Sequence, residues 1–268
     1  MDKKDIIFTE RFRRGYEHLE TFDGENMWRM NGQYEENPDA ARFTSEYVFG
    51  DIYLRDGISM KDRKTVIIAA LMSKGTCPNP LLAQMEAFLD CGGTINDLRE
   101  MLLLCQMLGG VPNSGNSTGR LRELLAARKE KGIEDSAPEG LFEYNLGEET
   151  RNDRGHENMK KYGLESGKAV VDALRPHFPD LLQYYQEFIF CDMYERTRLD
   201  RRTFHLFVLA FLAQLQTDSR MMKLHIQAAL SDGITLEDIN EIAIILSGYL
   251  GFSAAFKLAA DTNDLIGG

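Results

Sequence analysis

The sequence contains no stretch apolar enough for a membrane span or a signal peptide. Its start, Met1-Asp2-Lys3-Lys4-Asp5-Ile6-Ile7-Phe8, turns charged again at Glu10. A cytoplasmic protein is expected. Paired cysteines are equally lacking. The four thiols, Cys77, Cys91, Cys105 and Cys191, stand at no CxxC or zinc-finger spacing. Cytosolic thiols stay reduced, so neither a disulfide framework nor a structural zinc is indicated. The five histidines, His18, His156, His177, His205 and His225, form no HExxH or two-histidine-one-carboxylate pattern, and no metal is expected. Positive charge is in deficit, with 31 Lys and Arg against 42 Asp and Glu and a net charge of −11. Such a field repels phosphate backbones and anionic headgroups, which argues against nucleic acid or a membrane as partner. What is present is 268 residues, 43% of them hydrophobic. That is enough to bury one large core, or two domain-sized ones, without a covalent staple.

The chain repeats itself. Glu46-Tyr47-Val48-Phe49-Gly50-Asp51-Ile52-Tyr53-Leu54-Arg55 recurs as Glu187-Phe188-Ile189-Phe190-Cys191-Asp192-Met193-Tyr194-Glu195-Arg196, at an offset of 141. The same offset carries Ala69 onto Ala210, Ala87 onto Ala228, Gly92 onto Gly233, Thr94 onto Thr235, Asp97 onto Asp238, Glu100 onto Glu241 and Gly110 onto Gly251. An internal repeat of this length points to a helical unit used twice.

Each copy reads as helices. Lys64 to Lys74 and Thr203 to Gln216 are apolar around most of the circumference and lack strand-like alternation, so they are expected as central buried helices. Leu81 to Leu89 and Met221 to Leu230 run toward Gly92 and Gly233, which suit a left-handed helix stop. Thr94 with Asp97, and Thr235 with Asp238, then pair a capping hydroxyl with an acid three residues on. Leu98 to Leu108 and Ile239 to Leu250 complete a helical hairpin in each copy. The acidic, aliphatic-poor stretch from Gly132 to Asp153 reads as a linker. The expected division is therefore a first unit over 1–131, a linker over 132–153 and a second unit over 154–268, with lead-in helices within Asp5 to Ala41 and His156 to Pro179.

These residues resemble the carboxymuconolactone decarboxylase family, whose fold is that of alkylhydroperoxidase D. The resemblance rests on the Glu46 to Ile58 stretch, on Asp62-Arg63-Lys64-Thr65-Val66-Ile67-Ile68-Ala69-Ala70-Leu71, on Gly110-Val111-Pro112, and on His225 to Ile239 in the second copy. It implies an all-α fold of two tandem copies forming a pseudo-dimer, no cofactor, and assembly into a homo-oligomer such as a trimer of tandem chains resembling a hexameric ring. It implies less about the reaction, because one fold hosts many activities. The family includes decarboxylases of aromatic catabolism and thiol-dependent hydroperoxide reductases.

The two copies differ where the chemistry is expected. The family's histidine falls on His225, while the first copy has Gln84 there. Imidazole titrates near neutrality and glutamine does not, so only the second copy is expected to use this group as acid or base. Glu187 and Glu46 occupy the family's acidic position, and Glu187 is expected as partner or relay to His225 as proton donor. Arg196 and Arg202 are candidate clamps for a substrate carboxylate. Arg63, Asp51 and Asp192 are read instead as structural pairs or caps. In the alternative of a peroxiredoxin-type antioxidant, relatives carry Cys-x-x-Cys followed by x-x-x-His. Here only Cys77 survives as a possible redox thiol, with Pro80 and Gln84 in the other two places and Asp218 and Met221 before His225. The glycine-rich run from Gly109 to Arg120 lacks the Lys-Ser/Thr ending of a phosphate loop, and close helix packing is expected there. The favoured function is a cofactor-free lyase acting on a small carboxylated lactone. A thiol-dependent hydroperoxide reductase and a non-catalytic helical assembly stand as alternatives, the last favoured by a blocked His225 or by its separation from Glu187.

Overall fold

The computed structural model describes residues 9–23, 35–143, 145–162, 172–196 and 198–267, and no strand occurs among them. In the first half, α1 (Glu10–Asp23) is followed by α2 (Pro38–Phe43), which runs directly into a π-helical segment, Thr44–Ile52. Then come α3 (Met60–Lys74), α4 (Pro78–Asp90) and α5 (Ile95–Glu130). The second half opens with α6 (Arg151–Lys161) and α7 (Pro179–Tyr185), which runs into a second π segment, Gln186–Met193. It continues with α8 (Arg201–Gln214), α9 (Ser219–Ser231), α10 (Leu236–Tyr249) and α11 (Phe252–Ile266). Five helix starts, Glu10, Pro38, Met60, Pro78 and Ile95, each precede a second-half helix start by 141 residues.

Local chemistry sets these boundaries. Ser59 and Asp200 accept from the amides of Asp62 and Thr203, so α3 and α8 begin in a polar first turn, ahead of the apolar run that marks them in the sequence. Thr94/Asp97 and Thr235/Asp238 form full capping boxes, as their spacing suggests. The glycine-rich run is helical, but its glycines serve separate ends. Gly110 has φ 80° and breaks α5, as Gly251 at φ 86° separates α10 from α11, a conformation open at low cost only to glycine. Gly109 is the packing glycine, since a Cβ there would lie 2.6 Å from the ring of Phe211, whereas a Cβ at Gly115 or Gly119 would meet nothing within 4 Å among the described residues.

Two features depart from the sequence reading. The stretch expected as linker ends early, because Thr150 and Asp153 build a capping box and α6 begins at Arg151. Between Ile133 and Glu149 no helix forms among the described residues, yet the strand of chain is tied down. Arg128 holds Asp135 in a two-pronged pair, Arg198 donates to Glu139 at 2.8 Å, and Phe142 lies under the Arg196 guanidinium at 4.8 Å. Of the expected lead-in helices, α1 lies within its stretch, α2 runs past the end of that stretch at Ala41 to Phe43, and α6 begins at Arg151, ahead of His156. Residues 5–8, 24–34 and 163–171 of those stretches lie outside the described residues.

The core is centred on α3 and α8, which pack against each other and are buried nearly all around, as expected of helices whose apolar runs cover most of the circumference. Full burial of side chains such as Phe207, Phe211, Ile67 and Ile68 stabilises the fold by about 1.5–3 kcal/mol each. The halves interlock, with α10 seated on the first π segment and α5 touching the second. Arg55 grips Glu241 and Arg196 grips Glu100, each through two nitrogens, at positions again 141 apart.

The approach of α1 to the first π segment depends on Gly15. A Cβ at that position would collide with the Ser45 carbonyl and the Gly50 amide, both backbone atoms that cannot swing aside. Gly15→Ala is therefore expected to destabilise by about 1–3 kcal/mol, as overpacking does. In a thermal melt this would appear as a midpoint lowered by roughly 3–10 °C. A change under one degree would mean that α1 does not press on this segment.

Candidate active site

His225 lies on the inner face of α9, 3% exposed. Its Nδ1 is 2.9 Å from the phenol oxygen of Tyr194, which directly follows the second π segment. Phe190 stacks on both rings, at 6.3 Å from the imidazole and 5.6 Å from the phenol. Burial, with the nearby His205 adding to it, pushes the His225 pKa down to about 3. The imidazole is thus neutral at any ordinary pH. Burial also raises the Tyr194 pKa well above the usual phenol value, so Tyr194 keeps its proton. The phenol and Nδ1 share this hydrogen bond, and with Tyr194 as donor the imidazole proton sits on Nε2.

A second histidine adjoins this pair. His205, on α8, is fully buried, lies edge-on to Tyr194 and is held by the Asp232 carboxylate 2.8 Å from its Nε2. Its Nδ1 has no partner among the described residues. Burial outweighs the attraction of Asp232 and brings the His205 pKa down to about 4. Burial acts to raise the Asp232 carboxyl, but hydrogen bonds from His205 and Arg201 overcome it and hold that group below its ordinary value. Arg201 also donates to the Tyr162 phenol at 2.9 Å. The sequence reading missed this network. Its visible signals were the recurrence of Tyr53 as Tyr194 and one imidazole inside the otherwise apolar run of α8 from Phe204 to Ala213.

At the matching positions of the first half, Gln84 accepts from the buried Lys64 ammonium at 3.0 Å and from the Tyr53 phenol at 3.3 Å. Tyr53 meets the Tyr249 hydroxyl at 2.7 Å. Lysine thus stands where the second half has His205, and an amide where it has His225.

The other candidates are dispersed. Glu187 accepts from Gln183 at 2.9 Å and pairs with Arg151 at 3.6 Å, with no hydrogen bond to His225. Glu46 is buried, accepts from the Thr9 hydroxyl at 2.5 Å and pairs with Arg11 at 3.6 Å. Both acids therefore pair with arginines at the starts of α1 and α6 rather than with Arg55 or Arg196. Arg196 is committed to Glu100, and Arg202 bridges the halves, donating to Asp62 at 2.9 Å and to Asp238 at 2.5 Å. Asp51 and Asp192 pair with Arg11 and Arg151, and Arg63 caps the carbonyls of Ile52 and Arg55. Cys77 is half-buried at the start of α4 and lines a cleft of about 350 Å³ with Asn116, Ser117 and Arg120. Burial raises the thiols of Cys105 and Cys191 to about 11, which makes them unreactive. Among the described residues no three His, Cys, Asp or Glu side chains are grouped to hold a metal ion, and no helix is long and apolar enough to cross a membrane.

Comparison with known proteins bears on the second half in particular. Residues 179–261 match the sequence pattern of the Carboxymuconolactone decarboxylase family. Over 134 residues, 48% of this chain and 93% of the relative, the chain is 28% identical to the 4-carboxymuconolactone decarboxylase of Acinetobacter baylyi (strain ATCC 33305 / BD413 / ADP1). A 1.70 Å crystal structure provisionally described as a gamma-carboxymuconolactone decarboxylase subunit, from Burkholderia xenovorans LB400, aligns with a TM-score of 0.58. That alignment covers 95% of this chain and 97% of the other at 21% identity, and the likeness concerns the fold.

Proposed function

We propose, on the premise that this chain belongs to the carboxymuconolactone decarboxylase family through residues 179–261, that it is a cofactor-free lyase. It releases carbon dioxide from a small carboxylated lactone at a site built on His225, and its two halves are tandem copies of one unit. The observation that carries this reading is that the family match spans a buried imidazole–phenol pair, His225 and Tyr194, which the first half replaces by Gln84 and Tyr53.

Decarboxylation breaks the bond between the ring carbon and the carboxylate, and the electron pair passes into the lactone carbonyl as an enolate. The reaction needs a donor aimed at that oxygen and a proton for the carbon. In the tautomer where Tyr194 donates to Nδ1, neutral His225 suits the first need through its Nε2–H, as a hydrogen-bond donor rather than an imidazolium acid, and the carbon takes its proton from solvent. Glu187 and Arg151 then serve as a structural pair at the start of the π segment, and the clamping role of Arg196 is limited by its bond to Glu100. The exposed stripe of Phe178, Leu181 and Tyr184 supports self-association, which would cover it.

The test is to incubate the protein with 4-carboxymuconolactone and follow substrate loss. The near-complete burial of His225, and the lack of a bond to Glu187, favour a second reading in which this pair is a core contact of a non-catalytic assembly. An unchanged substrate would select that reading. Peroxide consumption that stops on alkylation of Cys77 would select the thiol chemistry instead.

A further inference from the structure

The two seams between the halves are built from matching positions but are filled differently. In the first, the Tyr47 hydroxyl is 2.6 Å from the Ser247 hydroxyl, and Phe252 stacks on the Tyr47 ring with centroids 6.3 Å apart and planes at 20°. Gly248 completes the closure, because a Cβ there would come within 2.6 Å of Ile52. In the second seam the counterparts, 141 residues away, are Phe188 for Tyr47, Gln106 for Ser247, Met107 for Gly248 and Val111 for Phe252. The ring that closes the first seam is thus absent from the second. A cleft of about 420 Å³ opens there, walled by Phe188, Met107, Val111 and Leu103, with Gln106 among its polar lining.

We infer that this second seam is a binding site for one aromatic ring bearing a hydroxyl, which takes the place Phe252 fills in the first seam. The volume falls in the range of small-ligand sites. Phe188 is about half exposed, has the Arg151 guanidinium 4.8 Å from its centroid, and has no ring stacked on it among the described residues. Offset stacking on its ring is worth about 0.5–1.5 kcal/mol beyond area burial. The Gln106 amide, exposed beside the cleft, supplies both a donor and an acceptor for the hydroxyl, as Ser247 does for Tyr47. The charged groups at the edge, Asp192 and Arg196, are each paired, to Arg151 and Glu100, so the site favours an uncharged phenol over an acid.

The experiment is a fluorine NMR titration of the full chain with 4-fluorophenol, which reads binding alone and so stands whether or not the protein is a decarboxylase. Saturable binding at about one site per chain, with a Kd on the order of 1 mM or tighter, is expected for a ligand of this size. Val111→Phe, at a surface position that is 69% exposed, restores the missing ring and is expected to weaken binding at least tenfold without shifting the thermal midpoint. Phe252→Val opens the first seam and is expected to raise the stoichiometry toward two. Equal binding by wild type and Val111→Phe, or no saturable binding by wild type, overturns the assignment.

Discussion

His225→Gln is expected to lower turnover of the carboxylated lactone by at least about a hundredfold while leaving the protein folded. Glutamine keeps an N–H but not one held in the direction of the ring's Nε2–H, so the expected loss is the size seen when a preorganised donor to a developing oxyanion is removed. Retention of the fold is argued from the chain itself. Gln84 occupies the matching position in the first half, where the amide is buried and hydrogen-bonded to the Tyr53 phenol, so glutamine at 225 can accept from Tyr194 in the same way. Changing Gln84 should have little effect on turnover, because the proposed donor lies in the second half. Tyr194→Phe leaves the imidazole in place but removes the bond that fixes its tautomer. A fall of about tenfold in kcat with KM nearly unchanged is expected, since a positioning defect acts in the transition state. If His225→Gln turned over at the wild-type rate, the site would have to be moved away from α9.

The second large effect is on stability. His225 and His205 carry folded-state pKa values of about 3 and about 4, against 6.5 for an unperturbed imidazole. Between pH 6.5 and about 4 the unfolded chain therefore binds up to two more protons than the folded one. Unfolding free energy should fall as pH is lowered through that window, by up to about 2.7 kcal/mol per pH unit. The stability is fully present above pH 6.5 and is lost on acidification. Asp232, held below its ordinary value by His205 and Arg201, and Asp238, held at about 2 beside Arg202, add losses of the same sign at lower pH. Urea midpoints measured at pH 7.5, 6 and 5 would display the slope, and His205→Gln or His225→Gln should each remove about half of it. A midpoint that does not move between pH 7.5 and 5 would show that neither imidazole is buried in its neutral form.

Much of the helical framework was legible because its signals are local. The capping pairs Thr94/Asp97 and Thr235/Asp238, the apolar runs that became α3 and α8, and the recurrence at 141 residues all lie in short windows of sequence. The π segments were not legible. The residues that adopt the wider turn, such as Val48 accepting from the Tyr53 amide at 3.0 Å, carry no local signal that distinguishes it from an α-helical turn, and the first π segment packs against α1 and α10. The candidate site was half legible. His225 was marked by resemblance, but its partner was sought in the charge of Glu187, which turns instead to Gln183 and Arg151. The partner is the phenol of Tyr194, whose role depends on a contact between α9 and the end of a π segment that no spacing encodes. The arginines mislead for a similar reason. Arg196 and Arg202 look like clamps in sequence because the acids that hold them, Glu100, Asp62 and Asp238, lie on other helices.

The acid titration and the His225 substitution meet in one measurement. Wild-type protein and His225→Gln would be incubated, at a pH near 7 where both are folded, with 4-carboxymuconolactone labelled with carbon-13 in the carboxylate attached to the lactone ring. Labelled carbon dioxide would be collected against time. Release by the wild type at a rate at least a hundredfold above the variant is the expected result. No release by the wild type, or equal release by both, would contradict a decarboxylase site at His225.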